Sequence, residues 1–280
     1  MGKGKMSPAV VRVIIWSIVV ALLFIFALIG PNFAPHDPYE VNTLNVKAPP
    51  SAEFPFGTDY IGRCILSRLL HGAARSIFAA IPVVIITMII GTAIGIISGY
   101  FGGKVDLIVM RFVDTVQSFP SLVFTIAVAS MLGAGLVNCI IALSAIGWTT
   151  YARLARSQVL SLKEKTFVAA AKVSGMSDGW ILFHVLLPNC LSPVIVEASM
   201  HVGNAILSFA GLSFLGLGTM PPFPEWGTML NDGKATLQTA PWTVFFPGLA
   251  ILIVVMIMGM FGDSINNLFN PKKRATQNIS

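Results

Sequence analysis

Charged side chains are scarce in this sequence, and their scarcity excludes most soluble folds. Asp, Glu, Lys and Arg make up 11% of its 280 residues, whereas hydrophobic residues make up 55%. A soluble domain carries about 25% charged residues, and the mean hydropathy here is +0.80. The sequence therefore predicts an integral membrane protein. Its net charge of +6 includes no basic patch interleaved with aromatic residues, so we expect no nucleic-acid partner.

Cysteine is almost absent as well, and no low-complexity tract or internal repeat occurs. The three cysteines form no C-x-x-C pair and have no Cys/His spacing typical of a metal site; they are Cys64, Cys139 and Cys190. We therefore expect neither a disulfide framework nor a bound metal. Cys139 and Cys190 fall in or beside apolar segments, where cysteine behaves as a small buried hydrophobe.

A nucleotide-binding P-loop is also missing, because no G-x-x-x-x-G-K-[ST] motif occurs. Gly103-Lys104 and Gly233-Lys234 lack both the upstream glycine and the hydroxyl residue that follows the lysine. No Ser/His/Asp or Cys/His set falls at one depth that would suit hydrolysis within a membrane. We therefore expect a transport protein rather than an enzyme, with no cofactor in this chain.

Long apolar runs dominate what is present. Six of them match or approach the length that crosses a bilayer as a helix, and Pro120 is expected to kink the third; they cover residues 13–29, 77–99, 115–131, 136–150, 193–215 and 244–260. The predicted fold class is all-α, a polytopic membrane protein with about six transmembrane helices. We divide it into a first span with a polar segment (1–75), a transmembrane domain (76–265) and a tail (266–280). Residues 100–111 are interpreted as a short polar link.

The placement of basic residues predicts the orientation. Six spans put both termini on one side, and thirteen of the 18 Lys and Arg residues then fall on that side: Lys3, Lys5, Arg12, Lys104, Arg111, Arg153, Arg156, Lys163, Lys165, Lys172, Lys272, Lys273 and Arg274. The other five are Lys47, Arg63, Arg68, Arg75 and Lys234. Because cytoplasmic loops carry the excess of basic residues, we expect both termini in the cytoplasm of a prokaryotic cell with the chain in its inner membrane.

One segment between spans, Lys163 to Pro188, has the pattern of a folded helical hairpin. Its first half favours a helix that Gly175 would end as a left-handed cap. Ser177 or Asp178 can cap a second helix, which Pro188 would help to terminate. Such a hairpin could act as a lever for another protein, or it could simply join two spans at the membrane surface.

A resemblance favours the lever. The spacing of seven residues resembles the EAA loop of permease subunits in ABC importers; they are Ala169, Ala170, Ala171, Gly175, Val185, Leu187 and Pro188. In that family the loop is cytoplasmic and its helix docks into a cleft of the ATPase subunit, which implies a coupling loop over residues 157–190 here. Ala169 stands where the family has Glu, so any ion pair of that Glu is missing, and Val185 replaces Ile.

Three further segments resemble the peptide/nickel branch of ABC permeases: FGTDYIGRCILSRLLHGAARS, GGKVDLIVMRFVD and SFLGLGTMPPFPEWGTML. The first departs from that branch at Cys64, where Asp is usual. The resemblance extends from about Phe56 to Asp263. It implies the transmembrane domain of a type I ABC importer, a permease through which peptides, nickel or nickel chelates pass.

The same resemblance implies partners. These are a homologous second permease, two ATP-binding subunits that hold ATP and Mg, and an extracytoplasmic substrate-binding protein that delivers the cargo. The alternative is a secondary transporter or channel driven by an ion gradient. It would explain the spans, but not a long basic helical loop on the cytoplasmic side.

A line of polar residues marks the fifth span. Glu197, His201, Asn204 and Ser208 are spaced by four, three and four, so they share one helix face. Ionisable groups in a span usually face a water-filled path or a neighbouring helix, so this face is a candidate lining of the translocation pathway. Alternatively, Glu197 lies at the cytoplasmic headgroups and the others bond to a neighbouring helix. Glu197 and His201 alone are too few to predict a metal site.

Two other sets of residues carry structural predictions. Gly91, Gly95 and Gly99 are spaced by four on the second span, where they would let another helix approach closely; such close packing also suits an assembly. Arg63, Arg68 and Arg75 are expected as helix-surface charges at the lipid headgroups, with an anion-binding cluster as the alternative. His184 is expected to pack or to dock.

Overall fold

The structure is a computed structural model that describes residues 7–269. Within that range the regular structure is helical, apart from one isolated β-bridge between Thr58 and Cys64. The helices are α1 (Pro8–Ile29), α2 (Ile65–Phe78), α3 (Ala80–Phe101), α4 (Gly103–Ser118), α5 (Ser121–Leu132), α6 (Leu136–Lys163), α7 (Thr166–Val173), α8 (Asp178–Trp180), α9 (Leu187–Phe214), α10 (Trp226–Gly233) and α11 (Trp242–Phe269).

Four stretches of the described chain are long and apolar enough to cross a membrane: Pro8–Phe33, Ile65–Phe101, Asp178–Phe214 and Trp242–Phe269. The bent pair α4 and α5 makes a fifth if it is one span. A sixth span, as predicted, would be α6, whose 28 residues reach about 42 Å. Only the first half of α6 is apolar, since Arg153 and Arg156 interrupt the rest.

The kink expected at Pro120 is a break, and the segment that we interpreted as a link is helical. α4 covers most of residues 100–111 and lies at 88° to α5. The residue before a proline is pushed towards extended backbone, and Phe119 has φ −82° and ψ 139°. The chain therefore turns at Phe119-Pro120, and the apolar run predicted as one span is divided.

Close packing of α3 against α6 organises the bundle. A Cβ atom on Gly91 would lie 2.2 Å from the Trp148 carbonyl oxygen, and one on Gly95 would lie 2.3 Å from the Ala152 carbonyl oxygen. Gly99 meets Val159 at 3.0 Å in the same way. The glycine face is thus filled by a helix of the same chain, and it is not available for assembly with another subunit.

The segment 32–75, predicted to be polar, ends in a helix because α2 has apolar residues at helical spacing. Ile65, Ala73 and Ile77 are each about 1% exposed. The expectation of headgroup charges is wrong for Arg63 and Arg68, which are 6% and 3% exposed. They are buried because carboxylates lie close by, one of them Asp232, which is distant in sequence.

Two hydrophobic cores hold the fold together. The larger one joins α1, α2, α3, α9 and α11 along the bundle. The smaller one lies at the end of the bundle that carries residues 157–190, which we call the loop end, and it joins α3, α6, α7 and the start of α9. The opposite end holds residues 32–64 and α10. Gly135 at the start of α6 donates a hydrogen bond there to the Leu217 carbonyl.

Candidate functional sites

The loop between α6 and α9 forms a helical hairpin. α7 is followed by Gly175 at φ +75°, a left-handed conformation that glycine adopts without strain. The backbone N–H of Met176 donates to the Ala171 carbonyl, which closes the turn. The Ser177 hydroxyl then accepts from the Trp180 N–H and caps the next helix.

Pro188 does not end that second helix, contrary to the sequence prediction. A π-helical turn, Ile181–Leu186, precedes it, and the Leu187 N–H donates to the Leu182 carbonyl five residues back. A proline inside an ordinary helix removes a hydrogen bond and clashes with the preceding turn, at a cost of about 3 kcal/mol. Here it lies in the first turn of α9 behind the wider turn, so helix continues from Asp178 to Phe214.

The seven residues of the predicted ATPase-docking pattern divide between two sides of the hairpin. Ala169, Ala170, Gly175 and Pro188 are exposed, whereas Ala171, Val185 and Leu187 pack against the smaller core. The exposed ones lie next to large apolar side chains that also face outward: Phe167, Val173, Met176, Trp180 and Phe183. Val173 is 90% exposed. A surface of this kind usually marks a protein contact.

His184 lies on the same hairpin. Its ring stacks on Trp180 with the centroids 4.9 Å apart, and it is exposed. The ring therefore adds flat surface to the exposed side.

Tyr100 ties the hairpin to α3. Its hydroxyl donates to Asp178 Oδ1 at 2.5 Å, and its carbonyl accepts from Lys163 Nζ at 2.6 Å. Lys172 Nζ lies 4.8 Å from the ring centroid, which is cation–π distance. One residue thus contacts the start of the hairpin and both α7 and α8. Sequence analysis missed it, because the only available signal was a tyrosine at the end of an apolar run.

An ion pair joins the C-terminal half of α6 to α4. Asp106 on α4 accepts two hydrogen bonds of 2.5 Å from the Arg156 guanidinium, and Ser98 on α3 donates to the same carboxylate at 2.6 Å. Charge-assisted bidentate pairs are the strong ones. Three helices therefore meet at one carboxylate, which sequence analysis also missed, since the partners lie 8 and 50 residues from Asp106.

The polar face of α9 borders a cavity of about 280 Å³. His201, Asn204 and Ser208 line it, together with residues of α3, α5 and α6. Glu197 is not in the lining; it pairs with His201, whose Nε2 lies 3.3 Å from Glu197 Oε1. The structure therefore brings three of the four predicted residues to one cavity and places the fourth one turn towards the loop end.

No group of three or more His, Cys, Asp and Glu side chains that could hold a metal lies within residues 7–269. Glu197 and His201 remain a pair, with the Tyr151 ring edge-on to the imidazole at 5.2 Å.

Among solved structures, the fold is similar to the inward-facing methionine ABC transporter MetNI. The TM-score is 0.58 at 16% identity, and the match covers 72% of this chain and 96% of that one. The fold class is thus the transmembrane domain of an ABC importer, as the sequence predicted.

Residues 91–275 match the family described as binding-protein-dependent transport system inner membrane component. The chain is 41% identical over 262 residues to the dipeptide transport system permease protein DppC of Alkalihalophilus pseudofirmus, covering 94% of this chain and 86% of that protein. It is 38% identical to the glutathione transport system permease protein GsiD of Pectobacterium atrosepticum, covering 92% and 87%. The chain belongs to this family and is a multi-pass membrane permease subunit, which confirms the predicted resemblance.

Proposed function

We propose that this chain forms half of the translocation pathway of an ATP-driven peptide importer. Its partners in the proposal are a homologous second permease, two ATP-binding subunits that hold ATP and Mg, and an extracytoplasmic binding protein that delivers the cargo. Similarity to permeases named for dipeptides and glutathione supports peptide cargo over nickel.

The proposed orientation puts the loop end in the cytoplasm. Eight basic residues of the described chain lie there: Arg12, Lys104, Arg111, Arg153, Arg156, Lys163, Lys165 and Lys172. At the opposite end Arg63 and Arg68 are buried in ion pairs. The other basic residues at that end are Lys47, Arg75 and Lys234. The positive-inside rule supports this assignment. Lys3, Lys5, Lys272, Lys273 and Arg274 belong to the same prediction but lie outside the described residues.

The observation that carries the proposal is the unbroken helix from Asp178 to Phe214. It begins in the hairpin, beside the exposed apolar surface, and it carries His201, Asn204 and Ser208 to the cavity. Because a helix transmits displacement along its axis, movement of an ATPase that grips the hairpin would move the polar face directly. Tyr100 would pass the same movement to α3, which forms another wall of the cavity.

A pair of matched substitutions tests the docking step. Val173→Asp puts a charge on the exposed apolar surface of the hairpin, whereas Leu44→Asp makes a similar change at the opposite end, where Leu44 is 94% exposed. The assay is affinity purification of the tagged chain from membranes, with identification of what comes with it. We expect wild type and Leu44→Asp to retain an ATPase and a second permease, and Val173→Asp to lose the ATPase.

Two results would contradict the proposal. If the wild-type chain purifies alone or only with copies of itself, the gradient-driven transporter becomes the better account. If Val173→Asp keeps its ATPase and its transport rate, the hairpin is not the docking site. A membrane abundance equal to wild type is the control, because a chain that fails to insert would also lose its partners.

A further inference from the structure

A second polar cavity lies at the end opposite the hairpin. Its volume is about 140 Å³, enough for several water molecules or for the charged end of a small solute. One wall holds Tyr60, Arg63 and Arg68, and the other is formed by the segment that follows α9 and by α10.

Two buried guanidinium groups contact one carboxylate at the edge of this cavity. Arg63 Nη2 lies 3.3 Å from Asp232 Oδ2, and Arg68 Nη2 lies 3.8 Å from the same atom. Both distances exceed those of a normal charge-assisted hydrogen bond, about 2.7–2.9 Å. Asp232 is therefore held loosely, and 30% of its side chain is exposed.

The other carboxylate of the cluster behaves differently. Asp59 accepts hydrogen bonds from the Ile61 and Arg63 backbone N–H groups at 3.0 and 2.9 Å, and from Arg63 Nε at 2.6 Å. It is 6% exposed. Asp59 is thus fully bonded and structural, and it neutralises one of the two arginines. The remaining positive charge is balanced only by the loosely held Asp232.

Arg68 has little else to bond to. Its Nη1 donates to the Pro38 carbonyl at 3.3 Å, and its Nε lies 3.8 Å from Asp59. At 3% exposure this guanidinium is under-bonded, which is costly for a buried charge. A tighter acceptor that entered the cavity would satisfy it.

A hydroxyl group in the cavity wall also lacks a partner. Thr219 Oγ1 is buried and makes no hydrogen bond to any described residue, and Thr219 lines the cavity. Buried polar atoms are nearly always bonded, so such an exception needs an explanation. Nearby, the Asn231 side-chain oxygen accepts from Lys234 Nζ at 2.6 Å, which leaves its NH₂ group as a further donor.

We propose that this cavity binds the carboxylate of the cargo before the cargo enters the bundle. The carboxylate would replace Asp232 at the two Nη2 atoms and accept from the Thr219 hydroxyl. The identity of the cargo as a peptide rests on the proposed function, and in the proposed orientation the cavity faces outside. An acidic side chain of the binding protein has the same chemistry, so the test separates the two sources.

The test titrates the dipeptide Ala-Ala, and separately its C-terminal amide, into the purified complex in nanodiscs without binding protein. We expect Ala-Ala to bind and the amide to bind about tenfold more weakly, since it cannot make a charge-assisted hydrogen bond. Asp232→Asn removes the competing carboxylate and should tighten Ala-Ala binding several-fold.

Thr219→Val gives a variant that should fold normally. It removes a hydroxyl that has no partner in the free protein, and such a change is near-neutral for stability, but we expect Ala-Ala to bind roughly fivefold more weakly. Thr92→Val is the matched control, because Thr92 Oγ1 is also buried without a partner but lies on α3 away from this cavity. It should leave the affinity unchanged.

Equal binding of Ala-Ala and its amide overturns the proposal, and so does a lack of any binding to both wild type and Asp232→Asn. A change in the affinity for the binding protein, with Ala-Ala binding unchanged in Thr219→Val, assigns the cavity to the binding protein and overturns it too. Loss of the ATPase from the complex is scored separately by purification. It would contradict the proposed function without altering the dipeptide titration.

Discussion

Replacing Gly95 by alanine tests the contact on which the bundle depends. The new Cβ would lie 2.3 Å from the Ala152 carbonyl oxygen and 2.9 Å from Ala155 Cβ. Ordinary contact begins at 3.4 Å, so α3 and α6 would have to separate locally by 3.4 − 2.3 = 1.1 Å. Both obstacles belong to backbone or to the stem of a side chain, so neither can rotate away. Overpacking of this kind costs about 1–3 kcal/mol.

The assay is thermal unfolding of the purified chain in detergent, with Gly99→Ala and Gly211→Ala beside it. Gly99 has its nearest obstacle at 3.0 Å, and Gly211, inside α9, has nothing within 4 Å. Alanine is favoured over glycine in a helix by about 1 kcal/mol, so Gly211→Ala should match or exceed wild type. We expect Tm to fall most for Gly95→Ala and less for Gly99→Ala. Equal Tm values for Gly95→Ala and Gly211→Ala would refute the packing argument.

Three further predictions concern other contacts. Burial raises the pKa of the Glu225 carboxyl, which caps α10 outside the spans. Protonated Glu225 therefore contributes its full share of stability below the pKa of the unfolded chain, about 4.3. That share is lost as the pH rises through the pKa of Glu225 in the folded chain. The Tm of wild type minus that of Glu225→Gln should therefore fall as pH rises, and a flat or rising difference would contradict the shift. Tyr100→Phe removes the hydrogen bond to Asp178, worth about 1 kcal/mol, so it should keep the ATPase bound but lower transport per ATP hydrolysed. Glu197→Ala and His201→Ala should each lower peptide uptake at unchanged membrane abundance, and loss of abundance alone would argue against a pathway role.

Local signals in the sequence predicted the features that depend on neighbouring residues. The spacing of Gly91, Gly95 and Gly99 places them on one face whatever they meet, since four residues make slightly more than one helical turn. Gly175 after a run of helix formers indicates a cap without knowledge of the surroundings. The line from His201 to Ser208 likewise needs only helical geometry. In each case geometry within one segment was enough for the prediction, and the structure supplied what lies against the two helix faces.

Features that depend on distant partners could not be predicted in this way. Arg68 was expected at the headgroups as a long basic side chain on a helix surface, and Asp232, which is distant in sequence, is brought to it only by folding. The same holds for Arg156, whose partner Asp106 lies 50 residues away. A long basic side chain can extend to the surface or pair internally, and only the tertiary fold decides between these.

Pro188 shows how a rule that is correct on average fails at a particular position. Proline usually ends a helix because it lacks an N–H and crowds the preceding turn, and that rule predicted two separate helices. One π-helical turn widens the backbone ahead of the proline, and π-turns often occur at functional sites. The consequence is mechanical. A helix that ended at Pro188 would leave a loop between the hairpin and the cavity, whereas here the helix continues from Asp178 past His201, with Pro193 inside it. In the proposed function, this helix carries movement of the hairpin to the polar face.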